Sequence, residues 1–237
     1  MSVLRPSLKP KVAIIDNSIY PELYKPVEHW KSYLNGVEWR SFYAPHGELP
    51  RLKDFTHILL TGSEASILER ERWVEREVEF VQDAAAAGRV LLGSCYGHQL
   101  LALALAGPAH VGRCREPEIG WITIDLVAPS PLLGDPGQAD TFSVHFDEVR
   151  NLPEPFVVLA STDICAVQAF GTRSGRVWGL QIHPEIDEPS ARNLLSAFRA
   201  VFPAFRPLYE KALASPSRDS NLIYKIVNNF LLSHLDN

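Results

Sequence analysis

The sequence is poor in sulfur: 237 residues carry three cysteines and one methionine. Cys95, Cys114 and Cys165 are an odd number with no C-x-x-C spacing. That argues against a disulfide framework and against a zinc site, so no metal is expected, and it points to a reducing, cytoplasmic compartment. Long hydrophobic runs are also missing. Leu100 to Ala106 is the longest candidate for a membrane span and is far too short. The N-terminal stretch MSVLRPSLKPKVAIID has no apolar segment ahead of its first strand-like run, so no signal peptide is expected. No lysine–arginine cluster accompanies the mild net charge of −5, which excludes nucleic acid as an expected partner. There are no internal repeats and no low-complexity segment beyond Ala84–Ala87.

What is present is apolar content. At 46% hydrophobic residues, the chain can fill one sizeable core, and a single domain over 1–237 is expected. KVAIID (Lys11–Asp16) and HILLT (His57–Thr61) are short apolar runs ending in turn residues, and Val37–Ala44 alternates loosely between them. Glu69–Ala87 predicts a helix with Val74, Val78 and Val81 on one face and charges opposite, stopped by Gly88. RVLLGS (Arg89–Ser94) predicts a buried strand, and Gly97–Ala106 the next helix. This alternation predicts an α/β fold whose open sheet is mostly parallel and helix-covered on both faces. Between Val111 and Leu180 come five strand-like runs, Ile119–Val127, Thr141–Phe146, Phe156–Ala160, Ala166–Phe170 and Val177–Ile182, which predict added antiparallel hairpins. Two helices follow, near Ser190–Val201 and Asn221–Leu235, with the polar linker SPSRDSN before the second. The core is expected over about 11–200 and a C-terminal helical extension over about 201–237.

One corner carries chemistry. Gly93-Ser94-Cys95-Tyr96-Gly97 has the form of a nucleophile elbow with cysteine in the reactive position. A strand turning directly into a helix must pinch, and small residues on both sides allow it. The side chain then projects from the carboxyl end of a strand, where open α/β sheets bind ligands. The helix N-terminus favours a thiolate there and offers N–H groups to a developing oxyanion. A lone cysteine at a strand end is more often core, and it is the flanking glycines that shift the balance. Cys114 and Cys165 lack that setting and read as structural.

A nucleophile needs a base. Of the eight histidines, His29, His46, His57, His110 and His234 have no carboxylate in a persuasive position and read as surface or satisfied residues. His98 sits on the elbow helix, pointing away from the crevice mouth. His183 follows VWGLQI at the expected carboxyl end of a strand, so it would share the crevice with Cys95. In an extended chain, residues two apart face one side, which would let Glu185 orient the imidazole. Pro184 favours that extended form at His183. The set is a Cys-His-Glu relay of nucleophile, base and orienter.

These pieces resemble a family. Gly93-Ser94-Cys95-Tyr96-Gly97-His98-Gln99 resembles the G-x-C-x-G-x-Q elbow of class I glutamine amidotransferases, and Gln181-Ile182-His183-Pro184-Glu185 resembles their Q-x-H-P-E block. Thr61–Ile67 is similar to their oxyanion loop, and Val144–Val149 to a looser His-Gly-Asp-x-Val block. The resemblance spans about Lys11 to Ala200 and implies a flavodoxin-like glutaminase fold with no cofactor. It implies that Cys95 attacks a γ-carboxamide, with His183 relaying the proton and Glu185 orienting it. The Tyr96 N–H and one from the Gly62-Ser63 turn would form the oxyanion hole. Gln99 and the backbone of Ser143, Val144 and His145 would hold the ends of the glutamyl group. The chain departs from the pattern at Ser63-Glu64, where the family often has Gly-Pro. Serine takes positive φ less readily than glycine, so the loop is expected to need substrate to reach its active shape. Phe146 stands where glycine follows the histidine.

The resemblance implies glutamine or a γ-glutamyl amide as substrate and a γ-glutamyl thioester intermediate. No P-loop is present, and the glutaminase core uses most of the residues. A separate synthetase partner that consumes the ammonia is therefore expected. Two other readings stand beside this one: a self-sufficient γ-glutamyl peptidase and a catalytically silent binding or regulatory homologue. The segment Arg115–Trp121 resembles stand-alone members of the family more than the anthranilate or carbamoyl-phosphate subunits. A cysteine α/β-hydrolase fits the elbow alone, but there the acid precedes the histidine by many residues.

Overall fold

The computed structural model describes residues 9–233. The signal-peptide reading of residues 1–8, the surface reading of His234 and the expected helix end at Leu235 fall outside the described residues.

Nine strands form one sheet: β1 (Lys11–Asp16), β2 (Glu38–Tyr43), β3 (His57–Leu60), β4 (Val90–Ser94), β5 (Val111–Leu126), β6 (Gly137–Val149), β7 (Phe156–Ser161), β8 (Ala169–Thr172) and β9 (Val177–Leu180). Their order is β2-β1-β3-β4-β9-β8-β7-β5-β6. From β2 to β9 every pairing is parallel; from β9 to β6 every pairing is antiparallel. The expected parallel layer is thus present, and the hairpin strands continue the same sheet. β5 begins at Val111, well before the expected Ile119. Its first half is charged and half-exposed, and its register with β6 breaks between Arg113 and Glu118. A bulged, solvent-facing stretch of this kind has no apolar alternation to reveal it.

Among the described residues six α-helices flank the sheet: α1 (Pro26–Lys31), α2 (Arg72–Ala86), α3 (Tyr96–Leu105), α4 (Glu188–Val201), α5 (Arg206–Ala214) and α6 (Leu222–Leu232). Alternate strand residues pack to opposite faces, as a doubly covered sheet requires. Val12, Ile14, Leu59 and Leu92 meet Trp30 and α6 on one face. Ala13, Ile15, Leu60 and Leu91 meet α2 and α3 on the other. A third cluster joins Tyr24, Phe142, Val144 and Ile186 to α4 and α5. α4 is started by Asp187, whose carboxylate accepts from the Ser190 N–H at 2.9 Å, an N-cap of the usual kind.

α2 departs from the expected division of faces. Glu77 lies on the buried side with Val74, Val81 and Ala84 and is completely enclosed. Burial pushes its carboxyl up to about 8, against a weaker opposing effect of the Asn17 side chain. A carboxyl raised in the folded state binds a proton on folding, so its effect on stability becomes steadily less favourable as pH climbs from about 4.5 to about 8. Glu77→Gln should therefore match the wild type in thermal melts near pH 5 and exceed it increasingly up to pH 8. Parallel melting curves across that range would contradict the assignment.

Candidate active site

β4 is buried along its whole length and delivers Cys95 to the carboxyl edge of the parallel strands. Cys95 has φ +50° and ψ −103°, a positive-φ geometry that non-glycine residues rarely adopt, and α3 starts at the next residue. The two glycines permit this corner for separate reasons. A Cβ on Gly93 would sit 2.3 Å from the Gly97 carbonyl oxygen, and one on Gly97 would sit 2.3 Å from the Leu60 carbonyl oxygen. The Cys95 N–H donates to Leu180 O at 2.7 Å and the Gly97 N–H to Thr61 O at 3.1 Å, pinning the corner to both neighbouring strands.

His183 and Glu185 come from the turn after β9. Imidazole Nδ1 and Glu185 Oε1 are 2.8 Å apart, and both side chains are buried. The pair meets through a turn, with the Ile186 N–H 3.3 Å from His183 O, and not through an extended segment. Tyr24 Oη and Ser94 Oγ each lie 3.4 Å from the same carboxylate. Tyr24 also stands edge-on to the imidazole, and Gly62 leaves room beneath it, since a Cβ there would approach His183 Cε1 to 2.8 Å. Burial alone would lower His183, but hydrogen bonding and charge from Cys95 and Glu185 outweigh it and raise the imidazole above its ordinary range. An imidazolium beside a sulfur is the arrangement that yields a nucleophilic thiolate.

A cavity of about 290 Å³ opens on Cys95 and His183, with Ser63, Tyr96, Gln99, Val144 and His145 in its wall. Gly62 and Ser143 are buried beside this wall and do not line it. Ser63 is not among the described non-glycine residues with positive φ; its Oγ accepts from the Ala65 N–H at 3.0 Å. Glu64 is held by the Ile19 N–H at 2.9 Å and by Ser18. Cys95 Sγ lies 3.6 Å from Val144 O. The amide nitrogen of Gln99 is committed to Asp147 O at 2.9 Å and Gln181 Oε1 at 3.2 Å, so a ligand contact from this side chain falls to its carbonyl oxygen. The His145 ring is likewise engaged, with Nε2 3.0 Å from Glu118 Oε2 and Nδ1 3.1 Å from Asp147 O.

Glu118, His145 and Cys165 bring metal-ligand atoms within 4.8 Å of one another. The Glu118 carboxylate also accepts from Gln168 and Thr162, so protein donors already meet its needs without a cation. Burial pushes the Cys165 thiol up to about 12 and raises Cys114 further still. His98 is enclosed in the core against Phe170 and held neutral by burial, which lowers it to about 3. His57 is buried as well, 2.8 Å from Thr56 Oγ1. His29 stacks on Tyr24 and feels the Glu185 and His183 charges. The sequence carries no motif that reveals Tyr24 or His29. Ser94 could have been found from its place inside the elbow.

A profile of the family described as "Glutamine amidotransferase class-I" matches residues 15–199. The chain belongs to the class I glutamine amidotransferases. Among its relatives is a glutamine-hydrolyzing GMP synthase subunit of Methanocaldococcus jannaschii, 32% identical over 144 residues, covering 60% of this chain and 71% of the relative. The glutamine-hydrolyzing GMP synthase of Caldicellulosiruptor saccharolyticus is 38% identical over 130 residues, covering 54% of this chain; the match spans only 24% of that longer protein. In fold, the chain is similar to a glutamine amidotransferase from Thermotoga maritima, with a TM-score of 0.73, 20% identity and coverage of 95% and 97% of the two chains. Among the described residues no helix is long and apolar enough to cross a membrane.

Proposed function

We propose that this amidotransferase hydrolyses a γ-glutamyl amide through a Cys95 thioester, releasing glutamate and ammonia or an amine. The observation that supports it best is the buried His183–Glu185 pair at 2.8 Å sharing a cavity with a cysteine held at positive φ at a helix start. Cys95 Sγ attacks the amide carbon, and the carbonyl electrons move to oxygen, facing the N–H of Tyr96 and one from Gly62-Ser63. As the C–N bond breaks, His183 gives its proton to the leaving nitrogen. The neutral imidazole then takes a proton from water, hydroxide adds to the thioester, and the thiolate departs. The balance is amide plus water to glutamate plus amine.

With glutamine as substrate the product is ammonia. The likeness to GMP synthase glutaminase subunits supports its delivery to a separate synthetase. The three free cysteines fit a cytoplasmic setting. A second reading, self-sufficient hydrolysis of γ-glutamyl conjugates, is favoured by the extent of the cavity beyond the triad. The deciding experiment is glutamate release by the purified protein, together with labelling of Cys95 by a glutamine-analogue electrophile. Release and labelling are expected. Folded protein that shows neither is a silent homologue, and the proposal fails.

Glu185→Gln tests the orienter. It keeps the shape and removes the charge that holds His183 protonated and aligned. The kcat should fall about 10³-fold or more with KM little changed, while circular dichroism stays native. A kcat within threefold of the wild type would remove Glu185 from the relay.

A further inference from the structure

The active-site cavity is lined by two kinds of group. Glu64, Arg113 and Asp147 are polar, and Arg113 pairs with Asp147 at 3.0 Å. Six aromatic residues, Tyr20, Phe146, Phe198, Phe202, Phe205 and Tyr209, line the same cavity. Their rings pack in two groups: Phe146 and Phe205 with centroids 4.5 Å apart, and a chain from Tyr20 to Phe202 at 6.4 Å, Phe202 to Phe198 at 5.5 Å and Phe198 to Tyr209 at 6.0 Å. Phe202, Phe205 and Tyr209 lie beyond residue 199, where the family match ends.

The wall also has a defined place in the reaction. His183 must face the leaving nitrogen to protonate it, and the residues packed around His183 belong to the cluster that contains Phe198 and Tyr209. Phe205 and Tyr20 remain 40% and 41% exposed at the mouth, leaving ring surface uncovered that a ligand can bury. Ammonia has no apolar surface to offer these rings. We infer that this wall is a leaving-group subsite for an uncharged aromatic or apolar amine joined to the γ-glutamyl group. The inference rests on the γ-glutamyl hydrolase reading. The cavity's concavity and its continuity with Cys95 favour a small-molecule group over a docked protein face.

The test measures binding and turnover separately. Binding to Cys95→Ala protein is measured by calorimetry for γ-glutamyl-benzylamide, γ-glutamylglycine and L-glutamine. The benzylamide should bind about tenfold or more tighter than the other two, the scale set by burying one ring. Phe205→Ala in that background should remove most of the difference. In active protein the ratio of kcat/KM for benzylamide to that for glutamine should fall about tenfold in Phe205→Ala, and a ratio is insensitive to the folded fraction. Equal or better binding of γ-glutamylglycine, or an unchanged ratio in Phe205→Ala, overturns the subsite. A ratio that is unchanged while an added synthetase loses its stimulation would mean a protein-docking face instead, and overturns it equally. If the benzylamide binds as expected but no substrate is turned over, the hydrolase reading fails and the subsite stands.

Discussion

Cys95→Ala should abolish glutamate release, by on the order of 10⁴-fold or more, because among the described residues no other thiol lines the cavity. Cys114 and Cys165 cannot substitute: burial raises both thiols, and neither lines the cavity. The stability consequence separates two variants with the same chemistry removed. Alanine keeps a Cβ at φ +50°, so the backbone strain remains, of the order of 1–3 kcal/mol for such a conformation. Glycine relieves it, at a smaller cost from the freer unfolded chain. Cys95→Gly should therefore melt higher than Cys95→Ala, by an amount corresponding to about 1 kcal/mol, and both should be inactive. Residual activity above about 1% in either variant would show that another group acts as nucleophile. Equal melting temperatures would show that the corner is not strained.

Gly97→Ala should destabilise the protein by more than about 3 kcal/mol, or prevent its accumulation. The added Cβ would meet the Leu60 carbonyl oxygen at 2.3 Å, its carbonyl carbon at 2.8 Å and its Cβ at 2.7 Å. Two of these are backbone atoms of a central strand and cannot rotate aside. α3 would have to lift from β3, which breaks the Gly97 N–H bond to Thr61 O and would carry the Tyr96 N–H out of the proposed oxyanion hole. Any folded fraction should then show a kcat deficit larger than its loss of binding. Urea titration gives the first quantity and steady-state kinetics on the soluble fraction the second. A change below about 1 kcal/mol would mean that the helix and strand are not in the contact described.

Both predictions turn on a motif that can be read directly from the chain. The elbow is legible because its requirements are local: a buried strand, a pinch between small residues and a helix start lie within a few positions of one another. β1, β4 and α2 are legible on the same footing, through short apolar runs and helical spacing. The reach of β5 back to Val111 is not, because its exposed, bulged half carries charges where a strand pattern would carry alternation. Glu77 is not, because a carboxylate at a helical position is exposed unless the tertiary fold covers it. α1 and α5 are too short for their periodicity to stand out.

The sequence alone determined the class of fold, the elbow that presents Cys95 as the proposed nucleophile and the pairing of His183 with Glu185, since each depends on residues close together in the chain. The tertiary structure alone decided how that pairing is made, through a turn and not an extended segment, and which groups surround it. Tyr24 reaches Glu185 across 161 positions, and the contact of Phe146 with Phe205 joins the β5–β6 hairpin at the sheet edge to the segment just before α5. Contacts at that separation are set by how strands and helices stack, and no local pattern of residue types encodes them.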